Sequence, residues 1–232
     1  MKLLAIETAT EACSVAVHVD GAVIERFEIA PRRHTELTLP WAGQLLSEAG
    51  ISRNQLDAVA ISRGPGAFSG VRLAIAIAQG IALAIDRPLL ALSTLHVLAQ
   101  RAPAGQDKVL AAIDARMGEV YSGRFVRADG QWQAQGAEQV QAPETVVLDG
   151  QGWFGVGTGF AAADGVLASR LQDGLLGVDA GALPHAADLA TLAVAAWQRG
   201  EAIAPELVEP TYLRNNVALT LVEQQALRES KK

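Results

Sequence analysis

The sequence predicts an α/β fold made twice from a βββαβα order of elements, the second copy reduced, and three observations carry that prediction. Alternating apolar strands joined by an Asp-Gly pair open the chain and recur after the Pro103-Ala104-Gly105 break. Each strand set is followed by apolar stretches with helical spacing. Half of the 232 residues are hydrophobic but only 5% are aromatic, and many of the rest are alanine, which favours close-packed helices over an aromatic-rich binding face. By pattern alone, one open mixed sheet has equal claim to two subdomains.

The elements follow in order. Residues 2–8 read as a buried strand, 12–19 alternate as a second, and Asp20-Gly21 is a two-residue hairpin signal leading to a third at 23–29. Residues 35–49 have helical spacing, with Leu37, Trp41 and Leu45 on one stripe, Leu39 and Leu46 nearby, and Gly50 as a C-cap. A strand at 58–61, a helix at 70–85, a strand at 88–92 and a helix at 94–101 complete the first half. In the second half, strands are expected at 109–113, 119–127 and 131–135, with Asp129-Gly130 between the last two. A short helix at 143–148, a strand at 153–156 and a long apolar helix at 185–199 follow. Identity between the halves is negligible, so only the element order repeats. Two such subdomains facing across a cleft make the arrangement of actin-like and sugar-kinase-like folds. The expected division is 1–102, 103–222 and a polar, frayed tail at 223–232.

Charge and composition exclude several function classes. The net charge is −6, from 19 Lys plus Arg against 25 Asp plus Glu, so the chain is poorly suited to gripping a phosphate backbone alone. Bound nucleic acid would need positive charge from another subunit. The lone cysteine, Cys13, allows no internal disulfide and fits a reducing compartment. No signal-peptide core is seen, because Glu7 interrupts the first apolar run, and the apolar stretch 73–85 is short for a bilayer. A cytoplasmic location without a membrane is expected.

Residues 62–72, Ser-Arg-Gly-Pro-Gly-Ala-Phe-Ser-Gly-Val-Arg, join an apolar run to a helix. Gly64, Pro65 and Gly66 suit a tight strand-to-helix turn, and Ser69 stands where an N-cap would be. The loop matches neither GxxxxGK[ST] nor GxGxxG, so a well-made βα turn is the simplest account. In the turn at 7–11, Thr8 and Thr10 offer hydroxyls to a nucleotide, but Glu7 and Glu11 would repel its phosphates unless a divalent ion intervened. Asp114 is a candidate metal-holding carboxylate, with a salt-bridged turn involving Arg116 and Glu119 the simpler explanation. The four histidines, His18, His34, His96 and His185, include no i, i+3 or i, i+4 pair, and no GxSxG elbow occurs. No catalytic set is evident.

The stretch 73–85 has almost no polar face, and a helix apolar all round needs cover on every side. One side can lie on the sheet, and the other needs the helix at 35–49 or a second chain. Small residues at 74, 76, 78 and 80 would let another helix approach closely. Trp41 nearby favours an interface, since tryptophan is a common anchor there.

Four blocks resemble the TsaB (YeaZ) family: Leu4 to Ala16, Arg63 to Arg72, Ala111 to Tyr121, and Tyr212-Leu213-Arg214-Asn215-Asn216-Val217-Ala218. They span nearly the whole chain in order; residues 128–150 and 160–184 show little that matches. The resemblance implies an actin-like ATPase (ribonuclease H-like) fold and a part in making N6-threonylcarbamoyladenosine at position 37 of tRNAs that read codons starting with A. It implies pairing with the paralogue TsaD, which carries the metal site and transfers threonylcarbamoyl from its adenylate, and with TsaE, a P-loop ATPase. Self-association as a homodimer through the N-terminal helices is implied as well, with tRNA reached only through the complex. ATP or ADP and a metal are then expected in the partner subunits and no cofactor in this one. Metal-bearing relatives place a His-x-x-x-His pair after the fifth strand; here only His96 remains, with Leu92 at the first position. One imidazole does not reproduce that site.

The leading expectation is a non-catalytic activating or scaffold subunit of the tRNA-modifying complex, binding its partner through Leu37, Trp41, Leu45, Leu73 and Ile77. Any nucleotide would fall to Thr8, Thr10, Gly64 and Gly66. The alternatives are a stand-alone weak ATPase, a metallopeptidase-like enzyme, or a homodimeric nucleotide sensor.

Overall fold

The computed structural model describes residues 1–214. The sequence signals at 215–232, including Asn215, Asn216 and the polar tail, lie outside the described residues. Strands β1 (Lys2–Glu7), β2 (Ala12–Val19) and β3 (Ala22–Ile29) form an antiparallel meander, and β4 (Ala58–Ser62) and β5 (Leu89–Leu92) add in parallel. The sheet order is β3-β2-β1-β4-β5. Asp20 and Gly21 both take positive φ, the conformation that a tight two-residue hairpin demands. Helices α1 (His34–Glu48) and α2 (Phe68–Ile85) connect the strands, and α3 (Thr94–Ala99) follows β5.

The same order returns in the second half. Strands β6 (Lys108–Arg116), β7 (Glu119–Ala128) and β8 (Gln131–Ala134) form the meander, with β10 (Trp153–Val156) and β11 (Leu175–Asp179) parallel to β6. The order is β8-β7-β6-β10-β11, and a short β9 (Gln139–Gln141) pairs with β7. Two sheets therefore replace the single open sheet that the pattern also permitted. The counterpart of α1 has shrunk to one 3-10 turn at Pro143–Thr145 rather than the helix expected at 143–148. Helix α4 (Val166–Leu171) and strand β11 were not anticipated. Strand β11 is short and half exposed, so it carries no clean alternation to read.

Alternation sorts the strands between faces. Leu4 and Ile6 pack with α1 and α2, whereas Leu3 and Ala5 pack with α5 (Ala186–Gln198). In the second sheet, Val109, Ala111 and Ile113 pack against α3, and Leu110 and Ala112 against the α4 side. The helices have thus been exchanged: α3 follows the first sheet but covers the second, and α5 follows the second but covers the first. Glu25 of β3 secures the start of α5, accepting from Ser14 Oγ at 2.7 Å and from the Ala187 amide at 3.0 Å, and pairing with His185 at 3.0 Å. Burial opposes its ionisation, but these bonds outweigh it and hold the carboxyl below its ordinary range.

Helix α2 starts at Phe68, two residues earlier than predicted, and its N-cap is Ala67, not Ser69. At 18 residues and a mean hydropathy of 1.8 it is long and apolar enough, by length and composition, to cross a bilayer, which the shorter stretch 73–85 was not. Its Gly70, Val71, Ala74, Ile75, Ala78 and Ala82 lie in the core.

Candidate functional site

Two places were singled out by sequence: the turn at 7–11 with the glycine loop, and the pair of N-terminal helices. The structure brings the 7–11 turn against the glycine loop, with Thr8 and Ala9 packed on Gly70 and Gly66, while Gly64 lies by Val71 and Thr211 and Thr10 by Ala12 and His34. The Thr8 hydroxyl donates to the Gly70 carbonyl at 2.8 Å, and the Ala67 amide donates to the Ala9 carbonyl at 2.7 Å. Approach is so close that a Cβ on Gly66 would fall 2.4 Å from the Ala9 carbonyl oxygen, and one on Gly70 2.0 Å from that of Thr8. Thr10 is buried too and its Oγ1 accepts from the Ala12 amide. Both hydroxyls serve the protein itself, so this loop offers no open phosphate cradle.

The carboxylates expected to charge that turn behave differently. Glu7 is fully buried and turned inward, with Ser62 Oγ donating to one oxygen and the Ala9 amide to the other at 2.7 Å. Burial pushes its carboxyl up to about 7, while those two bonds pull it down. Glu11 is exposed. Asp114 accepts from its neighbour Arg116 at both the backbone amide, 2.7 Å, and the guanidinium, 2.9 Å, which is the salt-bridged turn. Glu119 pairs instead with Arg214.

His96 lies on α3, stacked on Phe125 with ring centroids 5.2 Å apart, and burial lowers its pKa. Leu92 ends β5. Among the described residues, no three His, Cys, Asp or Glu side chains are grouped to hold a metal ion.

The helical pair gives the other site. Helices α1 and α2 form the outermost layer on the first sheet. Leu37, Trp41, Leu73 and Ile77 are half-buried, and Trp41 and Ile77 pack on the core beneath. Leu45 is only 1% exposed and belongs to that core, because its position on α1 faces the sheet. The small residues also divide: Ala74 and Ala78, with Gly70 and Ala82, lie against the sheet, and Ala76 and Gly80 are exposed. Half of the small-residue stripe at 74, 76, 78 and 80 is therefore spent on bringing α2 close to its own sheet.

What stays outside is apolar. Phe68 is 67% exposed, Leu83 62% and, on α1, Leu39 53%, beside the exposed Ala76, Gly80 and Ala84. The sequence pattern places Ala76 and Gly80 among the small residues a helix could approach and Leu39 near the α1 stripe, but it leaves out Phe68 and Leu83. Phasing α2 by its Gly70-Ala74-Ala78-Ala82 row would have found Leu83 and Ala76 on the opposite flank.

A family model described as TsaD, tRNA N6-adenosine threonylcarbamoyltransferase, matches residues 27–221. The Escherichia coli protein named tRNA threonylcarbamoyladenosine biosynthesis protein TsaB is 44% identical over 94% of this chain and 96% of its own. The Haemophilus influenzae protein of the same name is 40% identical over 94% and 95%. Among solved structures, YeaZ from Pseudomonas aeruginosa superposes with a TM-score of 0.83 at 44% identity, over 91% of this chain and all of that one. A second Pseudomonas aeruginosa structure, described as similar to the peptidase YEAZ, gives 0.86 at 45% identity over 92% and 99%.

Proposed function

This chain belongs to the TsaB (YeaZ) family, and from that premise we propose that it is a non-catalytic activating subunit of the enzyme that makes N6-threonylcarbamoyladenosine in tRNA. Its relatives carry the name of that biosynthesis. The observation that carries the reading is the outer flank of α2, where Ala76, Gly80 and Leu83 stand apolar and uncovered while the opposite flank is core. Apolar area of this kind is stabilised when another surface removes it from water. Exposed Ala76 and Gly80 let a partner helix come near.

The partner is TsaD, with TsaE joining the pair, and self-association uses the same flank when TsaD is absent. Chemistry belongs to those subunits: ATP or ADP and the metal sit there, and this chain brings no cofactor. The engaged hydroxyls of Thr8 and Thr10 and the single imidazole at His96 both support that division, and they argue against a stand-alone ATPase or peptidase. The complex works in the cytoplasm, away from membranes, with tRNA reached through the assembly.

Reconstitution tests this directly. Threonylcarbamoyl transfer to tRNA by TsaD, TsaE and ATP should require this chain, and the chain alone should neither modify tRNA nor hydrolyse ATP. Equal transfer without it, or ATP turnover by the isolated chain, would overturn the assignment.

A further inference from the structure

The extended segment at 211–214 crosses the start of α2 and reaches the β6–β7 turn, and where it does so arginines and exposed rings gather. The Arg72 guanidinium lies over the Phe68 ring at 3.2 Å from its centroid and over Tyr212 at 5.0 Å. Arg214 donates to the Glu119 carboxylate, to the Arg116 carbonyl at 3.4 Å and to Met117 Sδ at 3.6 Å. The Thr211 amide donates to the Arg63 carbonyl at 2.7 Å, which closes the cluster. Phe68, Met117 and Tyr212 are all exposed.

Charge on this patch opposes that of the whole chain, whose net value is −6. Arg116 is neutralised by Asp114 and Arg214 by Glu119. Arg63 and Arg72 make no ion pair among the described residues, and Glu138, which feels the Arg63 charge, is hydrogen-bonded by Ser93 instead. Arg72 thus packs against two exposed rings, and Arg63, whose carbonyl holds Thr211 beside them, is a second exposed cation.

The patch is distinct from the partner flank. At about 100° per residue, Phe68 and Arg72 turn towards Gln79. That side chain donates to the Pro205 carbonyl at 2.8 Å. Leu73 and Ile77 turn the other way, towards α1. A partner covering the α1 side leaves the arginine–aromatic cluster open.

We propose that this cluster is a contact surface for an unpaired RNA loop, with Phe68 and Tyr212 taking bases by stacking and Arg63 and Arg72 taking phosphates. Single-stranded RNA is recognised by this combination, because every base offers a ring face and every linkage a negative charge. The inference rests on the proposed function for its choice of RNA. It changes one expectation of that function, since this chain then touches tRNA itself.

Fluorescence anisotropy tests it with the full chain, alone and mixed with TsaD, against a labelled RNA hairpin with an anticodon-sized loop and a blunt duplex of equal length. The hairpin should bind more tightly than the duplex. The double substitution Phe68→Ala, Tyr212→Ala should weaken hairpin binding about tenfold and leave the duplex unchanged. Arg63→Gln and Arg72→Gln should each flatten the slope of log affinity against log salt by about 0.7. Thermal unfolding checks that these surface variants remain folded. Equal affinity for hairpin and duplex, or variants that bind as the parent does, would sink the proposal. So would variants that lose TsaD while keeping RNA, which would assign the arginines to an acidic protein surface. Hairpin binding by a chain that ignores TsaD would support this surface while contradicting the proposed function.

Discussion

At the residue scale, Glu7 sets burial against charge. Its carboxyl ionises near 4.5 in an unfolded chain and near 7 here, because burial outweighs the Ser62 and Ala9 hydrogen bonds. The folded state therefore holds the extra proton between those values. The stability it contributes is full below about pH 4.5 and is lost as pH rises through about 7, a swing of about 3 kcal/mol. In Glu7→Gln the amide oxygen can still accept from Ala9 and the amide nitrogen can donate to Ser62, with no charge to bury. Thermal melts should show the parent losing more stability than the variant between about pH 5 and pH 8, with the variant the more stable at the upper end. Equal slopes would refute the assignment. The sequence shows Glu7 only as a charge in a threonine turn. That it is internal depends on Gly66 and Gly70 lying against Ala9 and Thr8, a contact between segments some 60 residues apart that no local pattern encodes.

At the scale of elements, α2 shows which part of a helix can be read in advance and which cannot. Its existence, its end near Ile85 and its lack of a polar face are plain in the residues. Its phase was harder, because alanines occupy both the buried and the open flank and carry little periodic signal. Leu45 of α1 is among the partner-binding candidates because it shares a stripe with Leu37 and Trp41, yet it packs in the core. Gly80 separates the two roles of the open flank. No atom lies within 4 Å of where its Cβ would stand, so Gly80→Ala should stabilise the isolated chain by about 0.5–1 kcal/mol through helix propensity. Pairing with TsaD should weaken if the partner helix comes close there. A variant that is more stable and pairs as tightly as the parent would show that the approach is elsewhere on the flank.

At the scale of the whole molecule, the chain is two copies of one topology with their last helices traded. The repeat of element order was legible because Asp20-Gly21 and Asp129-Gly130 mark matching hairpins in both halves. The trade was not, since nothing in α3 or α5 names the sheet each will cover; both are simply apolar, and only burial of Val97 with Leu189 and of Leu95 with Phe125 resolves it. With both inner sheet faces covered by the exchanged helices, the outer layer of α1 and α2 still exposes Leu39, Ala76, Gly80 and Leu83 side by side, whereas Ile29, Leu176 and Leu207 are exposed on other elements. The central claim is that a second polypeptide covers that outer layer. Velocity sedimentation of this chain mixed with TsaD measures that most directly. One faster-moving complex should form with the parent, and Ala76→Arg should return two separate species, since a charge buried in an apolar contact costs several kcal/mol. Two species with the parent, or an undiminished complex with Ala76→Arg, would contradict it.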